Sequence, residues 1–163
     1  MCARTYNLNM YAHIYLYLYL SIYIYIYLYI GISKLIKEAS QTLLHLDVSN
    51  NSRFGVEFFD TIVMHCQDRL EYLKLDNSLQ INGELIRQVG SFQKLQYLSI
   101  AHIQDVKDDD IISVMNDIGC RLKGISLAGC HELTDQSLVS LRGNCRELME
   151  IDLSSIPNLT KLG

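Results

Sequence analysis

One spacing constrains this chain more than any other feature. Between Leu43 and Leu153 the order aliphatic-x-x-aliphatic-x-aliphatic occurs five times: Leu43/Leu46/Val48, Leu70/Leu73/Leu75, Leu95/Leu98/Ile100, Leu122/Ile125/Leu127 and Leu148/Ile151/Leu153. Successive starts lie 27, 25, 27 and 26 residues apart. A unit of that length cannot bury its own apolar flank, so neighbouring units must stack to make a core. The last positions of each occurrence alternate, which is the period of a short strand with one face inward. The expected unit is strand, turn, helix, turn, and the expected class is α/β.

The residues after each strand keep the same register. Eight positions from each start stand Asn51, Ser78, Ile103, Cys130 and Ile156. The two isoleucines depart from the small or polar residues at the other three, and irregular turns are expected in the third and fifth units. Farther on come Ile81-Asn82-Gly83, Val106-Lys107-Asp108, Leu133-Thr134-Asp135 and Leu159-Thr160-Lys161, with the small polar residues a helix N-cap requires. Phe54-Gly55-Val56 breaks this pattern in the first unit. Helices are expected over Val56 to Cys66, Glu84 to Gly90 and Gln136 to Gly143, and through the stripe Ile111, Ile112, Met115 and Ile118. Asp108-Asp109-Asp110 ahead of that stripe is read as favourable charge at a helix N-terminus rather than a cation site. Ile32 to Lys37 suggests the last helix of a unit whose beginning is missing, so the chain is expected to be a piece of a longer solenoid.

Charge and cysteine usage narrow the function. Residues 1–38 carry Arg4, Lys34 and Lys37 against Glu38, whereas residues 39–163 hold 11 basic and 17 acidic side chains. An acidic repeat region argues against a nucleic-acid partner, which needs a basic face. The five cysteines are Cys2, Cys66, Cys120, Cys130 and Cys145, an odd number with no C-x-x-C pair. Cys66, Cys120 and Cys145 fall at nearly fixed offsets from unit starts and are expected to be reduced, buried fillers in a cytoplasmic or nuclear protein. No phosphate loop, G-x-S-x-G or H-E-x-x-H is present. Cys130-His131-Glu132 combines a thiol, an imidazole and a carboxylate, but Cys130 belongs to an inward position. No catalytic residue, cofactor or metal ligand is therefore assigned, and the chain is not expected to be an enzyme.

Function is expected on the outward face of the sheet, where the side chains between the core aliphatics point. The candidates for binding a protein partner are His45, Asp47, Tyr72, Lys74, Tyr97, Ser99, Ser126, Glu150 and Asp152. Tyr72 and Tyr97 share one register in adjacent strands and are expected about 5 Å apart as an aromatic patch. An equally weighted reading is that they only cover their strand neighbours. Gly124, Ser126 and Ala128 are expected to leave room for a partner's side chains.

The N-terminal segment, residues 1–33, is of another kind. From Ile14 to Ile30 every even position is Ile or Leu and every odd one is Tyr except Ser21. Residues 14–32 have the length of a membrane span and no charge, which would make the protein membrane-anchored, but tyrosine prefers the interface to the bilayer core. Strict alternation suits a strand, yet the run far exceeds usual strand lengths. Because TAT encodes Tyr and ATA encodes Ile, translated simple-sequence DNA accounts for the tract best.

The run from Cys120 to Leu153 resembles the cysteine-containing leucine-rich repeats of F-box/leucine-rich-repeat proteins, and a looser likeness covers Leu43 to Gly163. That resemblance implies a leucine-rich-repeat solenoid over about five repeats in residues 34–163. It would form a short right-handed arc with parallel strands on the concave face and helices on the convex one. It also implies the substrate-recognition part of a Skp–cullin–F-box (SCF) ubiquitin ligase, with a protein substrate on the concave face. Docking to the ligase adaptor would require an F-box, and none is recognisable here. The alternative is a non-enzymatic scaffold with no ubiquitin link, tethered through residues 14–32.

Overall fold

A computed structural model of the chain describes residues 30–160. The chain divides into two compact units, Met1–Leu35 and Ile36–Gly163. Of the first, residues 30–35 are described and are helical. Most of the Tyr/Ile tract lies outside the described residues, and with it the membrane, strand and simple-sequence readings. Among the described residues, no helix is long and apolar enough to cross a membrane.

The second unit opens with helical residues 36–39 and then repeats one plan. Strands β1 (His45–Asp47), β2 (Tyr72–Lys74), β3 (Tyr97–Ser99), β4 (Gly124–Ser126) and β5 (Glu150–Asp152) form one parallel sheet in sequence order. Helices α1 (Val56–Cys66), α2 (Gly83–Arg87), α3 (Asp108–Ile118) and α4 (Asp135–Asn144) connect them. Parallel strands need such crossovers. The aliphatic pattern sets the register: Leu46, Leu73, Leu98, Ile125 and Ile151 are directly paired from strand to strand. Leu70, Leu95 and Leu122 form a second buried column, and Leu75, Ile100 and Leu127 a third. From the helices, Phe58, Phe59, Ile62, Ile86, Ile111, Val114 and Ile118 close over these columns. Burying each such side chain stabilises the fold by about 1.5–3 kcal/mol.

The backbone bonds repeat as faithfully as the side chains. The Leu44 carbonyl accepts from Glu71 and Tyr72 N–H, Glu71 from Gln96 and Tyr97, Gln96 from Lys123 and Gly124, and Lys123 from Met149 and Glu150. Past the strand, one residue per unit adopts a left-handed conformation: Asn50, Asn77, His102, Gly129 and Ser155, with φ of 58°, 54°, 58°, 67° and 60°. The first four donate their N–H to the next unit, to the carbonyls of Asp76, Ala101, Ala128 and Ser154. The expectation of irregular turns is thereby corrected for the fifth unit and, at Ile103 itself, for the third. The bend is made one residue before Ile103 and Ile156, whose side chains simply fill the core, at 1% and 8% exposure, as Cys130 does. A second left-handed residue, Asp105 at 59°, is the third unit's one departure.

Helices α2, α3 and α4 start where the polar residues predict, by two different devices, while α1 follows Gly55 with no side-chain cap. The Asn82 side chain accepts the Leu85 N–H at 3.1 Å, and Thr134 accepts from Gln136 N–H at 3.3 Å. Lys107 has no side chain suited to capping. Asp110 instead reaches back to accept the Lys107 N–H at 2.8 Å, and also accepts from Arg87 Nε at 2.6 Å. A Cβ on Gly83 would lie 2.1 Å from Asp110 Oδ2, so the glycine lets α2 and α3 approach. The helix expected over Glu84 to Gly90 is shorter. It ends at Arg87 and tightens into a 3₁₀ turn over Gln88–Ser91, where Val89, Gly90 and Ser91 have poor helix propensity.

A candidate protein-binding face

Two rows of side chains cross the outward face of the sheet. The first runs His45, Tyr72, Tyr97, Gly124, Glu150, and the second Asp47, Lys74, Ser99, Ser126, Asp152. All nine candidate residues therefore lie on one face. A groove of about 620 Å³ brings together Tyr72, Lys74, Tyr97, Ser99, Ser126, Glu150 and Asp152, while His45 and Asp47 fall beyond its edge. The groove also takes in Asp76, Asn77 and His102. Asn77 and His102 belong to the left-handed turn position, which no side-chain pattern marks.

Aromatic rings make one half of this face. His45 and Tyr72 have ring centroids 5.8 Å apart, and Tyr72 and Tyr97 6.1 Å, both tilted. Tyr97 leans toward the next strand and ends over Gly124. A Cβ there would meet its Cδ1 at 2.5 Å. The space expected to be open above Gly124 is thus occupied by the Tyr97 ring. The same arrangement recurs at the turn, where a Cβ on Gly129 would lie 2.1 Å from the His102 ring. Tyr72 and Tyr97 are half-buried and both line the groove.

Polar groups make the other half. Asp76 is engaged on both oxygens: Oδ1 accepts from Ser99 Oγ at 2.6 Å and Ala101 N–H at 2.9 Å, and Oδ2 lies 3.5 Å from Lys74 Nζ. Asp76 and then Asp47 hold the Lys74 ammonium above its ordinary pKa. Asp152 accepts the Ser154 N–H at 3.0 Å, which helps keep its carboxyl below the usual range, and Ser126 Oγ approaches its other oxygen at 3.4 Å. The Glu150 carboxylate is exposed and has no hydrogen-bond or ion-pair partner among the described residues.

The other chemistry-bearing residues are committed to structure. Burial pushes the Cys130 thiol up to about 11, and its Sγ donates to the Ile100 carbonyl at 3.2 Å. A thiol so placed is a poor nucleophile at neutral pH. Burial likewise raises Cys145, to about 11, and Cys66. Cys120 does not follow the expected pattern. It is exposed, because it lies in the 3₁₀ turn Gly119–Arg121 rather than at the end of the helix proper. Asp108 links α3 to the next unit, accepting Thr134 N–H at 3.0 Å and Thr134 Oγ1 at 2.6 Å, together with the N–H and hydroxyl of Ser137. Burial acts to raise its pKa, but these four bonds prevail and lower it. Asp135 repeats the device one unit later on Thr160 N–H and Oγ1. Among the described residues, no group of three His, Cys, Asp or Glu is placed to hold a metal ion.

No family model matches the chain. A curated relative, DNA repair protein rhp7 of Schizosaccharomyces pombe, is 29% identical over 126 residues, which is 76% of this chain and 22% of the relative. Among solved structures, a chain in the crystal structure of the Rad7 and Elc1 complex in yeast superposes with a TM-score of 0.63 at 20% identity. That match covers 78% of this chain and 35% of the other. The fold is a leucine-rich-repeat-like solenoid. The chain spans about a fifth of the curated relative's length and a third of the solved chain's.

Proposed function

We propose that residues 34–163 form a protein-binding repeat module of about five units, acting through the concave face of the sheet and not as an enzyme, with residues 1–33 a separate segment. The observation that carries this reading is the groove itself, in which side chains from four adjacent strands converge. Outside it, Cys130 and Asp108 are already committed within the fold. The finer reading is the substrate-recognition part of a ubiquitin-ligase receptor working in the nucleus. It is supported by the relative named as a DNA repair protein and by a structural neighbour solved as a complex of two proteins. Docking to the ligase adaptor belongs to this reading only if the full-length product carries an F-box.

A photo-crosslinking residue in place of Ser99 in the groove, compared with one in place of Val139 on exposed α4, tests the binding face. Protein adducts formed at Ser99 and not at Val139 are expected; equal adducts at both sites would overturn it. Co-purification of the longest transcript product with an SCF adaptor, and separately with Elc1, tests the ligase assignment. Retention by neither, with groove adducts still formed, would favour the alternative of a scaffold with no ubiquitin link.

A further inference from the structure

The charges in the groove are unbalanced in one direction. Three carboxylates, Asp76, Glu150 and Asp152, face one ammonium, Lys74, and the His102 imidazole, which helps lower the Asp152 pKa. Lys74 and Asp76 satisfy each other, and Asp76 is further occupied by Ser99 and the Ala101 N–H. That leaves Glu150 without a partner among the described residues and Asp152 engaged by Ser154 and by the long 3.4 Å contact from Ser126. Across the strand from Glu150 lies Gly124, and over Gly124 lies the Tyr97 ring, with Tyr72 behind it. The half-buried Tyr97 ring therefore lines the same groove as two carboxylates with acceptor capacity to spare. Rings attract cations to their faces, and a guanidinium can stack on a ring while its N–H fork meets a carboxylate.

We propose that the occupant of the groove is a basic, extended peptide segment of a protein partner, with an arginine stacked on Tyr97 and directed at Glu150 and Asp152. This rests on the protein-binding reading above and specifies its partner. The four strands that line the groove, about 4.8 Å apart, span roughly 14 Å, the length of about four extended residues. An acidic segment would meet the same carboxylates as like charges, and a neutral one would leave them unused.

The test uses the whole chain and three fluorescent peptides of about ten residues, alternating Arg-Ser, Gly-Ser and Asp-Ser, with anisotropy as the readout. The Arg peptide is expected to bind at least about tenfold more tightly than the Asp peptide, with affinity falling as salt rises. Glu150→Gln with Asp152→Asn, and separately Tyr97→Leu, are each expected to weaken it about tenfold, and Val139→Ala to leave it unchanged. Indifference of the Arg peptide to the carboxylate variants, or equal binding of Arg and Asp peptides, would overturn the proposal. Failure of the underlying reading is separately visible. Protein adducts at Ser99 whose linked segment lacks Arg and Lys overturn the basic-peptide inference alone, whereas no groove-specific adduct at all overturns both.

Discussion

Leu98 and Ile151 occupy the same position of the repeat and belong to one paired column, yet Leu98 is 2% exposed and Ile151 48%. The contrast runs through whole units. In β2 and β3 the central residue is buried between half-buried neighbours, whereas all three residues of β5 are exposed and β1 is nearly as open. Met149 beside β5 is 71% exposed. The side chains scarcely differ, so burial in this fold is conferred by the neighbouring unit rather than by the unit itself. The repeat pattern says which face is apolar; stacking decides how much that face stabilises.

Substitutions can break or sharpen this contrast. The largest effect is expected from Leu98→Ala, about 2–5 kcal/mol, because it leaves a cavity in a closed interior. Ile151→Ala, whose atoms already meet solvent, should cost much less. Urea denaturation of both variants decides the matter, and equal losses would mean that Ile151 is covered after all.

A smaller contrast separates the two aspartate links. Asp108→Ala strands the donors of Thr134 and Ser137 and should cost about 1–3 kcal/mol, while Asp135→Ala, at an exposed link, should cost less. The pH dependence fixes the sign. The folded pKa of Asp108 lies below the ordinary 3.8, so its stabilisation is fully present above that value and lost as pH falls through the folded pKa. The stability gap between wild type and Asp108→Asn should be constant at neutral pH and close in acid. A gap that widened in acid would refute the assigned cause.

Gly124→Ala should displace the Tyr97 ring at a cost of about 1 kcal/mol, held down because the half-buried ring can swing outward. Its clearest readout is the tyrosine near-ultraviolet circular dichroism, which should change while the far-ultraviolet signal does not. The smallest perturbation is thiol labelling under native conditions. Cys120 should react quickly, and Cys130 and Cys66 only on unfolding; rapid labelling of Cys130 would mean the third and fourth units do not stack as described.

The three aliphatic columns were legible in the sequence because an inward position tolerates little besides Leu, Ile and Val. The outward rows were legible for the same reason, as the alternate residues of strands already placed. Other features were hidden, each because it depends on contacts between units. The left-handed turn position holds Asn50, Asn77, His102, Gly129 and Ser155, which share no side-chain chemistry. Asn and Gly favour that conformation, while His102 is held there by its N–H bond to the Ala128 carbonyl at 2.7 Å. Asp108 could be read as a charge favourable to its own helix, but its hydrogen bonds to Thr134, 26 residues away, cannot be read from either residue. The open space above Gly124 was misjudged because the ring that fills it comes from a different unit.

Residue-resolved amide hydrogen exchange tests the stacked register most directly. The N–H groups of Leu75, Ile100 and Leu127 donate to Ser99, Ser126 and Asp152 of the next unit at 2.9, 3.0 and 2.9 Å. If the units stack as described, these three should exchange slowest and by global unfolding, with Leu153 and Ser155 of the fifth unit exchanging far faster through local opening. Protection that is uniform along the chain, or slower at Leu153 than at Ile100, would contradict the account.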